Sequence, residues 1–166
     1  MLETRIVRFA NFSGPLGTRQ HGREKTPAMI CRRAAVAKVT DNPDIEIWGD
    51  GEQTRSFCYI DDCITCLYKF MRSDYQDPPN LGQDRLVTIN QLVNMAASIA
   101  GIWVVKRPVP VPQCVPGRNS DNTRLRSMLH WEPGISLEEG LARTYRWIEG
   151  RVPSQLQAEP DPPSRA

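Results

Sequence analysis

The chain has 166 residues, 40% hydrophobic and 24% charged, the balance of one soluble globular domain rather than of a fibrous, disordered or disulfide-framed protein. No run approaches the roughly 18 apolar residues of a membrane span, and the start, Met1-Leu2-Glu3-Thr4-Arg5, lacks the apolar core of a signal peptide, so a cytoplasmic location is expected. The net charge of +2 is unevenly spread: residues 1–38 carry eight basic groups against Glu3 and Glu24, which suits an anionic partner such as phosphate groups or nucleic acid, or simply a solvated helix face.

Residues 4–9 read as a β-branched, mostly apolar strand. A buried strand this close to the N-terminus, with no hairpin partner nearby, is the pattern of a piece of something longer. The strand feeds a turn-rich loop through Asn11 and Gly14-Pro15-Leu16-Gly17, and the loop ends in the charged cluster Arg23-Glu24-Lys25. A strand end followed by polar groups and a helix is where α/β proteins hold their ligands. Asn11 offers a donor and an acceptor, and Lys25 a movable cation with a proton to give. An ordinary strand-to-helix connection with solvated charges fits the same residues.

Thr26 is a plausible N-cap and Pro27 suits the first helical position, so a helix is expected over 27–38 with Met29, Ile30, Ala34 and Ala37 inward. Residues 45–48 alternate as a strand, Gly49-Asp50-Gly51 forms a turn, and residues 53–59 resume extended chain. Asp61 or Asp62 then caps a helix whose apolar face is Ile60, Ile64, Leu67, Tyr68 and Met71. Cys63 and Cys66 form a CxxC inside it. With no second pair and no nearby His they read as small core residues, and the five cysteines (also Cys31, Cys58 and Cys114) give no disulfide framework.

Residues 88–100 read as a helix with Ile89, Leu92, Val93, Ala96 and Ala100 inward and Gly101 as its stop. A strand is expected over 102–107, followed by chain kept extended by Pro108, Pro110 and Pro112. Residues 116–122 form a polar loop carrying Arg118, and a short helix follows at about 122–129. Ser136 with Glu139 makes a capping box for a helix with Leu137, Leu141, Tyr145 and Ile148 on one face, closing near Gly150. From Pro153 the chain is rich in Pro, Ser, Gln and charge. The expected organisation is one partial domain over 1–151 and a disordered tail over 152–166.

Three pieces, RFANFSGP at 8–15, WGDGEQTRSFCYIDD at 48–62 and PGRNSDN at 116–122, together resemble the C-terminal half of the extended short-chain dehydrogenase/reductase family. That family includes NAD-dependent nucleotide-sugar epimerases and dehydratases. GREK at 22–25 and GRNSDN at 117–122 narrow the resemblance to members that act on a GDP-mannose type of nucleotide sugar. The resemblance implies an α/β fold: remnant Rossmann-type strands plus the small α/β substrate-binding domain. The N-terminal NAD-binding core is missing from this picture, because the sequence has no GxxGxxG and no Tyr followed four positions later by Lys.

The resemblance further implies NAD as cofactor, a nucleotide sugar as substrate, a homodimer as the whole assembly, and no metal, nucleic acid or membrane. Family chemistry oxidises the sugar at C4 and inverts C3 and C5 with an acid/base pair, a Cys and a Lys. Lys25 matches that Lys, and the Cys belongs to the absent half, so the chain is expected to be inactive alone. Asn11, Glu24, Lys25, Thr26, Arg33, Gln53, Thr54, Arg55 and Arg118 match substrate-contacting positions, and no residue here matches a cofactor contact. Arg55 and Arg118 are the right type to fork onto a diphosphate. Arg33 stands where the family has Lys, Thr26 where it has Ala, and Phe12-Ser13 where it has x-Tyr, which bears on sugar preference. A non-catalytic nucleotide-sugar binding or assembly module, and a nucleic-acid binder using the basic N-terminal third, are the readings from other classes.

Overall fold

The computed structural model describes residues 3–18, 24–110 and 115–158. Arg19, His21, Arg23, Cys114 and the tail from residue 159 lie outside them. In chain order the elements are β1 (Arg8–Phe9), β2 (Phe12–Ser13), α1 (Thr26–Thr40), β3 (Asp44–Trp48), β4 (Thr54–Arg55), β5 (Cys58–Tyr59), α2 (Ile60–Met71) and β6 (Asn80–Leu81). Then come β7 (Val87–Thr88), α3 (Ile89–Ala100), β8 (Val105–Val109), β9 (Gly117–Arg118), α4 (Thr123–Leu129), α5 (Leu137–Glu149) and α6 (Val152–Ala158).

The fold is mixed α/β, and its strands pair across long stretches of sequence. β1 pairs with β6, β2 with β5 and β3 with β8, all in parallel. β4 runs between β7, antiparallel to it, and β9, parallel to it. Of the extended segment expected over 4–9, only Arg8 and Phe9 enter a ladder. The strand expected over 102–107 is shifted to Val105–Val109 and includes Pro108. The shift is tolerated because Val105 donates to Pro43 and Val109 accepts from Gly49, so alternation turns residue 108 to the unpaired side, where no N–H is needed.

Two cores hold these pieces. The larger packs α1 against α3, α5 and β3, through Ile30, Cys31, Ala34 and Ala35 of α1, Ile45 and Ile47, Leu92, Val93 and Ala96, and Leu141, Tyr145 and Ile148. The small residues on α1 let its neighbours approach closely. The second core gathers Cys63, Cys66, Leu81, Leu125 and Trp131, with Val7, Phe12, Ile60 and Leu129 packed against it. Cys31, Cys58, Cys63 and Cys66 are free and buried. Burial pushes the Cys31 and Cys66 thiols up to about 12.

The helices with strong local signals sit where their sequence puts them. α3 has its Thr88–Gln91 capping box and ends at Gly101 in the left-handed region, φ 69°. α5 starts with Ser136 accepting from the Glu139 N–H and buries Leu137, Leu141, Tyr145 and Ile148. α1 differs at its start: Lys25, not Thr26, is the N-cap residue, and no side chain caps it.

The face of α2 is the clearest correction. Tyr59 is its N-cap, and Asp61 and Asp62 lie in its first turn. The Asp62 carboxylate accepts from the N–H groups of Gly134 at 3.1 Å and Ile135 at 2.9 Å. That tether fixes the rotation of the helix, so Cys63, Cys66 and Phe70 point inward. Ile64, Tyr68 and Met71, which the sequence pattern places inside, are 59%, 57% and 64% exposed. The tail also differs from expectation: Val152–Ala158 is helical, and Val152 is buried in the larger core beside α1.

The outer edge of β3 carries side-chain plugs. Asn42 Oδ1 accepts from the Asp44 N–H at 3.1 Å, Arg33 donates to the Glu46 carbonyl, and Gln53 Nε2 donates to the Trp48 carbonyl at 2.9 Å. These bonds occupy groups that an edge strand would otherwise present to another chain. Among the described residues no helix is long and apolar enough to cross a membrane.

Two outcomes follow from this packing. Ellman's reagent at pH 8 should leave Cys31, Cys58, Cys63 and Cys66 unmodified in the native chain and label them on unfolding in urea, because buried thiols with raised pKa carry almost no thiolate. The second concerns Glu149, whose carboxylate accepts from the Lys38 amine at 2.8 Å and the Tyr145 hydroxyl at 3.0 Å. The Lys38 bond holds this carboxyl below its ordinary 4.5. Its stabilisation is therefore present above pH 4.5 and lost as pH falls through the lower folded value. Glu149→Gln should cost under about 1 kcal/mol at pH 7, as befits a half-exposed pair, and should flatten the acid side of the melting-temperature profile.

Candidate functional site

The first group of candidate residues lies where α1 begins. Lys25 is exposed, and its carbonyl accepts from the Met29 N–H at 3.0 Å, so its backbone is fixed by the first turn of the helix. Glu24 is half-buried, and its Oε2 is enclosed with no hydrogen-bond partner. Thr26 is half-buried as the first residue of the helix. Arg33 lies further along α1, where it reaches the Glu46 carbonyl and approaches the Glu46 carboxylate at 3.6 Å. Burial lowers the Arg33 pKa, the Glu46 and Glu24 carboxylates oppose that shift, and Arg32 adds to it. Glu24 and Arg33 thus lie within electrostatic reach of each other, a pairing that sequence spacing alone does not reveal.

The second group is built on β4 and its neighbours. Asn11 Nδ2 donates to the Ser56 carbonyl at 3.2 Å, and the Asn11 carbonyl accepts from the Cys58 N–H at 2.9 Å. Asn11 therefore splices the end of the first extended segment onto the chain between β4 and β5. Thr54 and Arg55 form β4 itself, in register with Gly117 and Arg118 of β9. A Cβ on Gly117 would lie 2.8 Å from Thr54 Oγ1, so a glycine is needed for the strands to approach this closely.

Arg55 and Arg118 are thus cross-strand neighbours of like charge, an arrangement that is unfavourable on its own. Arg55 is held by the carbonyls of Thr54 at 2.7 Å and Val115 at 2.8 Å. Arg118 is exposed and has no side-chain partner among the described residues. Gln53 is turned the other way: its amide plugs the edge of β3 at Trp48, and its carbonyl accepts from the Ile89 N–H at 3.3 Å.

The structure therefore gathers the candidates into two sets, Glu24, Lys25, Thr26 and Arg33 at the start of α1, and Asn11, Thr54, Arg55 and Arg118 around β4. Gln53 bridges from β4 to the end of β3. Two residues escaped sequence reasoning. Glu46 became visible only as the partner of Arg33, although its place on the polar side of an alternating strand facing a basic helix was a signal. Ser56 is 1% exposed with a hydroxyl that has no partner among the described residues, and it lies inside the WGDGEQTRSFCYIDD stretch without having been singled out there. A shallow depression lined by Ser73, Asp74, Tyr75, Asp77 and Met128 involves none of the candidates.

Residues 1–82 match the NAD dependent epimerase/dehydratase family. GDP-mannose 3,5-epimerase from Arabidopsis thaliana is 42% identical over 151 residues, which are 91% of this chain and 39% of that protein. GDP-L-fucose synthase 1 from the same plant is 31% identical over 127 residues, 73% of this chain and 38% of that protein. Among solved structures, a UDP-glucose 4-epimerase with UDP-glucose from Thermotoga maritima superposes with a TM-score of 0.77 at 29% identity, covering 89% of this chain and 46% of that one. The chain spans about two fifths of the length of the curated relatives it matches. Its mixed α/β fold and these matches, which together run along nearly its whole length, make the chain similar to members of the NAD dependent epimerase/dehydratase family.

Proposed function

We propose that this chain is the nucleotide-sugar-binding part of an epimerase of the GDP-mannose 3,5-epimerase kind, working on a GDP-mannose type of substrate in the cytoplasm, within a homodimer. The observation that carries the reading is the pair Arg55 and Arg118, two cations in register on adjacent strands, in a chain 42% identical to that enzyme. A diphosphate between them turns an unfavourable like-charge contact into two charge-assisted forks. Asn11 ties its segment to the chain just after β4 by donating to the Ser56 carbonyl, and Gln53 and Thr54 directly precede Arg55. Glu24, Thr26 and Arg33 flank Lys25, whose exposed amine takes the role of moving a proton at an inverted sugar carbon.

NAD is the family's cofactor, and when bound it takes up and returns a hydride at the sugar. The N-termini of α2, α3 and α5 do not fit its pyrophosphate. A pyrophosphate needs a glycine-rich turn that leads from a strand into an open helix N-terminus. The β5–α2 turn instead has Tyr59 as N-cap, with the acidic Asp61 and Asp62 in the first turn. The N-termini of α3 and α5 are occupied by Thr88 and Ser136, and α5 adds Glu138 and Glu139. What this chain's own residues do is bind and orient the sugar nucleotide and, at Lys25, hold and move a proton.

Two experiments test this reading. Calorimetric titration should show GDP-mannose binding to the isolated chain, while incubation with GDP-mannose and NAD should yield no GDP-L-galactose. Product formation would overturn the division of labour, and absence of binding would overturn the substrate. In a chimera that joins the remainder of the Arabidopsis relative to this chain, Lys25→Ala should abolish solvent-deuterium incorporation at C3 and C5 while GDP-mannose still binds. Arg55→Ala should instead raise KM more than it lowers kcat, because a diphosphate contact is made equally in ground and transition states.

A further inference from the structure

The groups of the proposed diphosphate site come from separate parts of the fold. Arg55 and Arg118 stand on β4 and β9 of one three-stranded sheet. Asn11 lies between β1, which pairs with β6, and β2, which pairs with β5. One tie between these parts is the bond from Asn11 to the Ser56 carbonyl. A second tie runs through a small buried polar seat on Gly82.

Asn122 is 1% exposed and Ser120 is 3% exposed. The Ser120 hydroxyl donates to Asn122 Oδ1 at 2.8 Å, and Asn122 Nδ2 donates to the Gly82 carbonyl at 2.8 Å. Gly82 directly follows β6, where the Ala10 N–H donates to the Leu81 carbonyl at 2.9 Å. A Cβ on Gly82 would lie 2.5 Å from the Ala10 Cβ and 2.8 Å from the Ser120 Cβ. The chain before Asn11 and the loop after Arg118 thus pack onto the same glycine. Local capping does not account for Asn122. It is the N-cap residue of α4, a place where Asn ordinarily accepts from its own helix, yet its side chain makes no capping bond. Asp121 accepts there instead, from the Thr123 N–H at 2.9 Å and the Thr123 hydroxyl at 2.6 Å. The Asn122 amide is spent across the chain.

We infer that Asn122 is a positioning residue of the nucleotide-sugar site: from its seat on Gly82 it fixes where Arg118 stands relative to Asn11. The reach is short. Arg118 is pinned on one side by its register with Arg55, and on the other by Ser120, two residues further on. An amide that donates to Gly82 and accepts from Ser120 holds both segments at once. An apolar side chain in its place would leave the Gly82 carbonyl and the Ser120 hydroxyl without those partners in a buried place. The inference rests on the reading of Arg55 and Arg118 given above and not on the role given to Lys25.

The test uses the full 166-residue chain with GDP-mannose as the probe. Asn122→Ala should weaken binding about tenfold when Arg118 is present and less than about twofold when Arg118 is already Ala, because residues that act through one another are not additive. Ser120→Ala removes one of the two bonds and leaves the other, so it should show the same coupling with a smaller loss. Thr144→Val deletes a different buried hydroxyl bond, to the Gly140 carbonyl at 2.8 Å within α5, and should lower the melting temperature while leaving the affinity unchanged. In ligand-free Asn122→Ala, hydrogen exchange at the Ala10 amide should quicken at least about fivefold, as its neighbour Gly82 loses its anchor. Equal losses with and without Arg118, a matching affinity loss in Thr144→Val, or unchanged exchange at Ala10 would each overturn the positioning role. An unaltered chain that fails to bind GDP-mannose overturns the substrate reading instead, and the Ala10 exchange then still decides whether Asn122 joins the two segments.

Discussion

The close approach of α1 to its neighbours is the constraint on which both candidate groups depend. Cys31, Ala34 and Ala35 are fully buried, and each is small enough to let α5 and α3 lie against the helix axis. The Cys31 thiol even reaches the Leu141 carbonyl, at 3.9 Å. A larger residue at any of these three positions would push α5 outward and tilt α1, because a close-packed core has no spare volume to absorb it. Lys25 and Glu24 at one end of α1, and Arg33 on its flank, would move with it. The position of the proposed proton-moving amine is thus set by alanines two and three turns away.

Charge placement follows a second, separate logic. Most ion pairs in the molecule lie on the outside and tie elements together weakly, as Arg85 does with Glu138 and Arg107 with Asp44. The candidate face does the opposite and brings cations together. Arg55 and Arg118 share a register, and Arg55 spends two of its donors on main-chain carbonyls rather than on a carboxylate. Neither guanidinium has a carboxylate partner among the described residues, which on the proposed reading suits an anion between them.

Sequence reasoning reached the fold where the governing interactions are local. Thr88 with Gln91, Ser136 with Glu139, and Gly101 each act within one turn, and α3 and α5 lie where those residues put them. It failed where a distant group decides. The rotation of α2 depends on Asp62 meeting the N–H groups of Gly134 and Ile135, and nothing within α2 reveals that contact, so the hydrophobic pattern pointed to the wrong face. The paired strands are mostly two residues long, too short for alternation to register. The candidate residues came from motif resemblance alone, and the engagement of Arg33 and Gln53 with the rim of β3 was not legible there, since it depends on how α1 and β4 meet that strand.

The long reach of these contacts governs the order in which the molecule can be made. Asp62 waits for partners about 72 residues later, Cys31 for one 110 later, and Lys38 for one 111 later. β1, β3 and β4 likewise find parallel partners only in β6, β8 and β9. A nascent chain emerging from the ribosome therefore carries the α5-facing side of α1 uncovered until α5 has been synthesised, 110 residues after Cys31. Loop closure over such distances is entropically slow, and partly closed intermediates expose strand edges. Folding intermediates of this segment therefore expose the apolar side of α1 and open strand edges, the surfaces that chaperones shelter.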